Sequence, residues 1–328
     1  MIEQIQNGKS RVYPIVYREK YGNLSSVNCY LYDNGNSLSL IDAGLKKTNF
    51  IEFFNETLRQ LQLSITDIDQ ILLTHHHDDH TGLINEVLAI KDIPVYAHHK
   101  ALPRIHFDES YLQNKITFFK RIYEEYGCLE IVSERFKTME QTYDNREQLR
   151  IQTTALPLHN GDEIEGMKVM EVPGHSPDSI LFYDQSVRWQ FSGDLVLKNA
   201  STNALIDFDD DMQLLPTVSQ YYQSLLDCFK LETDWMFPGH EEPFQQHQDE
   251  IQIKFNRIER KEKRVIDAVA KGHRDTLSIA YEIYGKRLEV MANLILSEVI
   301  GYLEFAVARG NLFKTMEQGQ WKFNVVQK

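Results

Sequence analysis

The stretch QILLTHHHDDHTG, residues 70–82, places four histidines and two aspartates within six consecutive positions. The apolar run QILLT before them is typical of a short buried strand, and TGLINEVLAI after them predicts a helix that begins near Thr81. Donors that are adjacent or two residues apart do not share one face of a helix, which needs a spacing of four, so we expect them in the loop between strand and helix. Neutral imidazole and carboxylate are the ligands expected for zinc and similar ions, and the stretch therefore predicts a metal site. Its candidate ligands are His75, His76, His77, Asp78, Asp79 and His80.

The segments around this stretch alternate strand and helix signals. VNCYLYDNGNSLSLIDAG contains two apolar runs around the turn residues 33–36, as in a β-hairpin. KTNFIEFFNETLRQLQL has phenylalanine and leucine at helical spacing, and IPVYAH predicts another strand after the helix TGLINEVLAI. This order of strands and helices predicts an α/β fold in which helices cover a sheet.

Residues 101–155 break this alternation with long aromatic-rich helices, such as ESYLQNKITFFKRIYEEYG. Strand signals return afterwards in DEIEGMKVMEVPGH, SILFYDQ and VRWQFSGD. We interpret the helical segment as an insertion between two strands, either a lid over the site or a structural cap. Its aromatic residues could line an apolar pocket or pack between helices: Phe118, Phe119, Tyr123 and Tyr126.

Residues 251–328 have the pattern of a second unit. TLSIAYEIYG and EVMANLILSEVIGYLEFAVARGNL predict helices, and FKTMEQGQWKFNVV alternates around a Gln318-Gly319 turn like a hairpin. Helix, turn, helix and hairpin in this order are the layout of a winged helix. We therefore predict a catalytic domain at 1–250, including the insertion at about 101–155, and a small winged-helix-like domain at 251–328.

Charge is unevenly distributed over these two units. The chain has 328 residues, 42% of them hydrophobic, and a formal net charge of −13. Residues 251–328 carry 14 Lys and Arg against 9 Asp and Glu, a balance of +5, which leaves −18 for residues 1–250. The acidic body argues against a general nucleic-acid binder, and the basic run KFNRIERKEKR indicates either a separate partner or a solvated helix face.

Cysteine usage and hydropathy indicate the compartment. Cys29, Cys128 and Cys228 form no paired framework, so we expect them to be reduced. No stretch of 18 apolar residues occurs, and MIEQIQNGKSRVYP lacks the apolar core of a signal peptide. We expect a cytoplasmic protein with no membrane partner, and a homo-oligomer remains open because the tail is rich in Leu, Ile and Val.

Five motifs, including the opening stretch, occur in the order that is expected for a known family. HxHxDH is matched by residues 75–80, LIDAG supplies Asp42, VPGHSPDS supplies His175, FSGD supplies Asp194 and FPGH supplies His240. In these motifs the chain resembles the metallo-β-lactamase-fold hydrolases from Val27 to about Pro243. Its tail is similar to that of the subgroup related to β-lactamase-like protein 2.

The resemblance implies a four-layered αββα sandwich with two divalent metal ions in a cleft at the sheet edges, zinc being expected and manganese or iron open. It implies that His75, His77 and His175 bind one ion, that Asp79, His80 and His240 bind the other, and that Asp194 bridges them. Asp79 would in addition act in catalysis by orienting a metal-bridging hydroxide or taking its proton, and Asp42 would hold a ligand histidine. His76 and Asp78 occupy the variable positions of the motif and are expected to point away from the metals. His98 and His99 end the next strand, where we favour a structural role over one at the mouth of the cleft.

Three functions remain open at this point. The first is a metal-dependent hydrolase that acts on a small ester, thioester or lactone substrate. The second, which the tail suggests, is an endoribonuclease that cleaves single-stranded RNA and uses the basic tail to guide phosphates. The third is a nucleic-acid-binding protein with a structural metal. The number of donors argues against the third function. A structural zinc site is filled by four protein ligands, whereas seven donors around two ions leave coordination positions open.

Overall fold

The computed structural model describes residues 4–20, 22 and 24–327. Two β-sheets, a terminal hairpin and the helices around them make up this part of the chain. The strands are β1 (Ile5–Asn7), β2 (Ser10–Tyr17), β3 (Val27–Asp33), β4 (Leu38–Ile41), β5 (Gln70–Leu72), β6 (Val95–His98), β7 (Leu156–Leu158), β8 (Glu163–Ile164), β9 (Met167–Glu171), β10 (Ile180–Asp184), β11 (Trp189–Gly193), β12 (Trp235–Pro238), β13 (Leu312–Glu317) and β14 (Gln320–Val325). The helices are α1 (Thr48–Gln60), α2 (Asp78–Thr81), α3 (Ile84–Leu88), α4 (Leu102–Ile105), α5 (Glu109–Glu125), α6 (Ser133–Asp144), α7 (Arg146–Leu149), α8 (Thr217–Phe229), α9 (His247–Ala270), α10 (Thr276–Tyr284), α11 (Arg287–Val290) and α12 (Ala292–Ala308).

The first sheet has the strand order β1-β2-β3-β4-β5-β6-β7, and the second has the order β12-β11-β10-β9-β8. Pairs from β1 to β4 are antiparallel, whereas β4, β5, β6 and β7 run parallel. The second sheet is antiparallel except for the parallel pair β11 and β12. The carboxyl ends of β4, β5 and β6 therefore meet at one edge of the first sheet.

The side chains of β3 show how the first sheet packs. Successive residues of a strand point to opposite faces, and β3 is buried on both. Cys29 and Leu31 join the core beneath α1 and α3, whereas Tyr30 and Tyr32 join the core between the two sheets. The rings of these tyrosines lie 5.8 and 5.4 Å from the ring of Phe191 in β11, measured between centroids.

The second sheet repeats this arrangement on the other side. Ile180 and Phe182 of β10 face the first sheet, whereas Leu181 and Tyr183 face a third core that contains residues of α8, α9 and α12. The order of layers is helix, sheet, sheet, helix, which confirms the predicted four-layered α/β sandwich.

The predicted hairpin at β3 and β4, helix α1 and strands β5 and β6 are all present. The helix predicted to begin near Thr81 differs, since α2 begins earlier, at Asp78, and is followed by the separate helix α3. The loop after β4 accounts for the break, because its backbone takes hydrogen bonds that one continuous helix would have made internally. The N–H of Ala43 donates to the carbonyl of His80 at 2.7 Å, and the N–H of Gly82 donates to the carbonyl of Gly44 at 2.7 Å.

The insertion lies between β6 and β7, as predicted, and consists of α4 to α7. Its four named aromatic side chains are all buried in the third core, with residues of the tail and of the second sheet. They therefore pack between elements, which is the second of the two alternatives given for them, and they do not line an open apolar pocket. Burying large rings against the tail is the more favourable arrangement, because aromatic burial contributes strongly to core stability.

The tail consists of α9 to α12 and the antiparallel hairpin of β13 and β14, which turns at Gln318-Gly319 as predicted. Helix α9 begins at His247 and so continues through the predicted division at 250/251. The hairpin contacts the insertion, since the ring of Phe323 lies 6.3 Å from that of Tyr126. The hydroxyl of Tyr126 in turn donates to Glu304 of α12 at 2.6 Å.

Replacing Phe323 with alanine tests how strongly the tail is held. The side chain is fully buried, so we expect a loss of about 3–5 kcal/mol, seen as a clear fall in the thermal midpoint. Phe313 on the partner strand is 46% exposed and provides the matched control, for which Phe313→Ala should change the midpoint little. Equal melting of both variants would contradict a packed interface between hairpin and insertion.

All three cysteines are unpaired and buried. Among the described residues, no helix has the length and apolar character needed to cross a membrane.

Candidate metal centre

The predicted donors come together at the sheet edge where the parallel strands end. His75 and His77 follow β5 in extended backbone, whereas Asp79 and His80 lie in the short helix α2. His175 follows β9, Asp194 follows β11, and His240 follows β12. Ligands usually bind at the carboxyl ends of neighbouring strands in α/β sheets, and the donors lie after such strand ends in both sheets.

Three histidines form the first group. Nδ1 of His77 lies 3.0 Å from Nε2 of His75 and 3.0 Å from Nε2 of His175. A ring nitrogen carries at most one proton, so Nδ1 of His77 can donate to only one of these neighbours. The lone pairs therefore converge at a point where a cation would be stabilised, and the three residues could hold a metal ion.

The second group consists of Asp79, His80 and His240, whose ligand atoms also lie close enough to hold an ion. Nε2 of His240 is 3.3 Å from Oδ2 of Asp79, and Nε2 of His80 is 3.9 Å from Oδ1 of the same carboxylate. All three side chains are buried. Ionised carboxylate beside imidazole in a site closed to water is a favourable arrangement for a divalent cation.

Asp194 lies between the two groups. Its Oδ2 is 3.5 Å from Nε2 of His175 in the first group and 3.4 Å from Nε2 of His240 in the second. Its Oδ1 faces Nε2 of His80 at 3.5 Å, and these two buried atoms have no hydrogen-bond partner among the described residues. An unpaired polar atom in the interior is costly, so a ligand at this position would satisfy both.

The other nitrogens of the rings are held by protein oxygens. Nδ1 of His80 donates to Oδ2 of Asp42 at 2.8 Å, as predicted for Asp42. Nδ1 of His175 donates to the carbonyl of Asn203 at 3.0 Å, and Nδ1 of His240 donates to the carbonyl of Ser26 at 2.7 Å. Carbonyl oxygens only accept, so both Nδ1 atoms carry the proton. In the neutral rings this leaves the Nε2 lone pairs facing the site, which is how protein groups orient metal-binding histidines.

Replacing Asp42 with asparagine tests this support. Oδ1 of Asp42 also accepts the backbone N–H of Thr74 at 2.8 Å, so the carboxylate fixes both the strand end and the His80 ring. We expect Asp42→Asn to weaken metal binding by roughly 10–100-fold, measured by competition with a chromogenic chelator. Asp92→Asn, at an exposed position three residues before β6, should bind metal as the parent does. Unchanged affinity in Asp42→Asn would show that the contact does not orient the ring.

The two groups of donors differ in the direction in which the pKa values of their histidines are shifted. Burial, followed by the neighbouring histidines, holds the pKa of His75 well below its ordinary value, and burial lowers the pKa of His77 in the same way. These rings are neutral, as metal ligands must be.

In the second group burial would lower the pKa of His80, but the carboxylates of Asp42 and Asp79 outweigh it and raise the pKa to about 9. Burial is likewise outweighed at His240, where Asp194 raises the pKa to about 11. Burial also opposes ionisation of Asp79, yet the His80 and His240 rings lower its pKa to about 2. The buried carboxylates thus create a negative field that favours a cation at this end of the site.

His76 and Asp78, set aside from the motif, are absent from the metal-capable groups found among the described residues. The backbone N–H of His76 donates to Oδ2 of Asp178 at 2.8 Å, and Nδ1 contacts Oδ1 at 2.8 Å. Asp178, a fully buried carboxylate that fixes the conformation of the loop, is not among the residues predicted from the sequence. Asp178 belongs to the motif VPGHSPDS, but its hydrogen-bond partner, His76, lies 102 positions away in the sequence.

The residues at the end of β6 form another contact. Nε2 of His98, a buried residue, donates to Oε1 of Glu171 in β9 at 2.9 Å, which agrees with the structural role favoured for it. The ring of His99 stacks on that of His159 with 4.5 Å between centroids. His98, His99 and Glu171 also have the spacing of a group that could hold an ion. No local pattern in the sequence indicates Glu171.

Comparisons with known proteins identify the family of the chain. Residues 22–240 match the family model described as the metallo-beta-lactamase superfamily. The probable metallo-hydrolase YqjP of Bacillus subtilis (strain 168) is 26% identical over 296 residues, which are 87% of this chain and 92% of that protein. The atrochrysone carboxyl ACP thioesterase of Pseudocercospora fijiensis (strain CIRAD86) is 24% identical over 272 residues, 81% of this chain and 64% of that protein.

Among solved structures, the metallo-beta-lactamase family protein TTHA1429 from Thermus thermophilus has the same fold. It superposes with a TM-score of 0.76 at 19% identity and covers 96% of this chain and 98% of its own. The family model covers well over half of the chain, including every donor of the two groups. The chain is a hydrolase of the metallo-β-lactamase superfamily.

Proposed function

We propose that the protein is a dinuclear metal-dependent hydrolase that acts on small esters, thioesters or lactones, with thioesters favoured. The observation that carries this proposal is the position of Asp194 between two groups of three donors. One carboxylate with an oxygen toward each group can serve two ions at once. Two-metal sites of this kind are suited to hydrolysis.

The residues present fit two divalent cations, for which zinc, manganese and iron remain alternatives. The first ion would be held by His75, His77 and His175, and the second by Asp79, His80 and His240, with Asp194 shared. The unpartnered Nε2 of His80 and Oδ1 of Asp194 support this assignment. Seven protein donors for two ions leave coordination positions for water and substrate, which argues against a purely structural metal site.

When bound, two such ions supply Lewis-acid chemistry, since they lower the pKa of water and polarise a substrate carbonyl. The chain's own residues do the rest. The buried carboxylate of Asp79 would orient the attacking water and accept its proton at an Oδ atom. Asp42 would keep the His80 ring in place during the reaction, because its hydrogen bond to Nδ1 fixes both the tautomer and the orientation of the ring.

Thioesters are favoured because a relative matched over 81% of this chain is named an ACP thioesterase.

We further propose that residues 1–250 carry the catalytic site and that residues 251–328, as a winged-helix-like unit, support the insertion. The basic run of α9, suggested above as an RNA guide, is largely engaged within the chain. Lys254 is buried and pairs with Glu250 at 2.9 Å, Lys261 pairs with Glu298, and Arg257 donates to the carbonyl of Ala200 at 2.6 Å.

Hydrolysis of a matched substrate set tests the proposal. The metal-loaded protein is assayed with an S-acyl-N-acetylcysteamine thioester, the corresponding p-nitrophenyl ester, a lactone and a single-stranded RNA oligonucleotide. We expect turnover of the thioester, loss of turnover after chelation, and recovery when the divalent ion is restored. Cleavage of RNA with no turnover of the other three substrates would overturn the proposal in favour of the nuclease.

A further inference from the structure

A cavity of about 310 Å³ lies between α5 and α6 of the insertion and the start of α12. Its volume is at the lower end of the range for small-molecule sites, roughly 300–1,000 Å³. The polar side chains that line it are Lys115, Arg135, Thr138, Thr142 and Asn293. The hydroxyls of Thr138 and Thr142 donate to the carbonyls of Glu134 and Thr138 within α6, so the ammonium, the guanidinium and the amide of Asn293 are the donors that suit an anion.

Neither cation is neutralised by an ion pair within the described part of the chain. Nζ of Lys115 lies 5.7 Å from the centre of the Tyr111 ring, and the guanidinium of Arg135 lies 4.1 Å from the centre of the Phe119 ring. The Nε atom of Arg135 is buried without a hydrogen-bond partner. Lys137 on the same helix, in contrast, is exposed and pairs with Glu134 at 2.7 Å.

The two charges also disfavour each other. Burial lowers the pKa of Lys115 to about 8, Arg104 and Arg135 act in the same sense, and Asp207 opposes them. A bound anion would relieve this repulsion and restore the charged form of the lysine.

A continuous chain of contacts joins the cavity to the metal centre. The carbonyl of Asn203 accepts the His175 ring N–H at 3.0 Å, and four residues later Asp207 pairs with Arg104 at 2.8 Å. Arg104 also donates to the hydroxyl of Tyr111 at 2.9 Å, and the ring of Tyr111 lies beside Lys115. One segment, residues 203–207, therefore contacts a candidate ligand at one end and Arg104 at the other, and Arg104 is connected through Tyr111 to Lys115 in the wall of the cavity.

We propose that this cavity binds the phosphate end of a phosphate-bearing acyl thioester whose thioester carbon lies at the metal centre. The inference rests on the thioesterase activity proposed above and assigns the insertion to substrate recognition. Leu112, Ile116 and Met139 add apolar surface to the cavity, which suits the aliphatic linker of such a substrate. An RNA strand would need an extended basic groove with stacking aromatic rings, and the acidic body of this chain, at −18, would repel it.

Calorimetric titration with coenzyme A, which carries the phosphates but no scissile bond, tests the site. The proteins compared are the parent, Lys115→Met/Arg135→Met and the control Lys137→Met. We expect about 100-fold weaker binding in the double variant, since each lost charge-assisted contact costs roughly tenfold, and parental binding in the control. Lys115→Arg/Arg135→Lys exchanges the two cations and should retain binding, which separates loss of charge from loss of folding. No binding by the parent, or equal binding by parent and double variant, would overturn the inference.

Hydrolysis separates this inference from the proposed function. For butyryl-coenzyme A we expect the double variant to show a raised KM with an unchanged kcat. For S-butyryl-N-acetylcysteamine, which has no phosphate, and for S-lactoylglutathione, whose anions are carboxylates, both constants should stay as in the parent. An equal rise in KM for all three would overturn the assignment of the cavity to phosphate. If the parent hydrolyses none of them, the preference for thioesters in the proposed function fails, whereas the titration with coenzyme A still decides whether the cavity binds phosphate.

Discussion

Replacing Asp194 with asparagine is expected to lower the metal content from two ions per chain to about one and kcat by roughly 10³-fold or more. Asparagine keeps the size of the side chain but removes the negative charge that faces both groups. The carboxylate lies 3.4 to 3.5 Å from the Nε2 atoms of His80, His175 and His240, so its charge acts on donors of both groups. Elemental analysis after desalting and steady-state kinetics measure the two effects.

Asp92→Asn is the control for charge, because Asp92 is exposed and lies at the opposite end of β6 from the site. It should keep the metal content and the activity of the parent. If Asp194→Asn retained two ions and activity within about twofold of the parent, the carboxylate would not join the two groups.

Asp79→Asn is expected to lower kcat by about 10²–10⁴-fold with a smaller change in KM. The reason differs from that for Asp194, since His80, His240 and Asp194 remain to hold the second ion. What is lost is a buried carboxylate that stays ionised, because burial raises its pKa but His80 and His240 outweigh that effect and lower it to about 2, and that would accept a hydrogen bond from the attacking water. Assays at saturating metal separate this loss from a loss of the ion.

The neighbouring residue provides the matched control for Asp79. Asp78 lies in the same turn of α2 but is exposed. Asp78→Asn should leave kcat within about twofold of the parent. Equal losses in the two variants would indicate a general effect of charge in α2 and would remove the specific role of Asp79.

The part of the site that could be predicted from the sequence is the part set by local pattern. The HxHxDH spacing, the apolar run before it and the later motifs identify strand ends, and the carboxyl ends of adjacent strands meet at one edge. The apolar run in VNCYLYD, before the turn residues 33–36, likewise predicts a strand, and the structure shows it buried on both faces.

What could not be predicted depends on contacts between distant segments. The partner of His76 is Asp178, 102 positions away, and no local spacing marks that pair. The break between α2 and α3 follows from backbone hydrogen bonds with Ala43 and Gly44, which only the folded loop provides. The aromatic residues of the insertion, such as Phe118, have the same helical spacing whether they line a pocket or pack on a tail, and only the position of the tail decides between these arrangements.

If two groups of donors hold two ions through a shared carboxylate, the number of ions bound per chain is fixed by the site and can be measured. The chelator-stripped protein is titrated with a divalent ion, desalted and analysed by elemental mass spectrometry against protein concentration. We predict two ions per chain in the parent and about one in His175→Ala, which removes a donor from the first group alone. A parent protein that saturates at one ion would contradict the dinuclear centre.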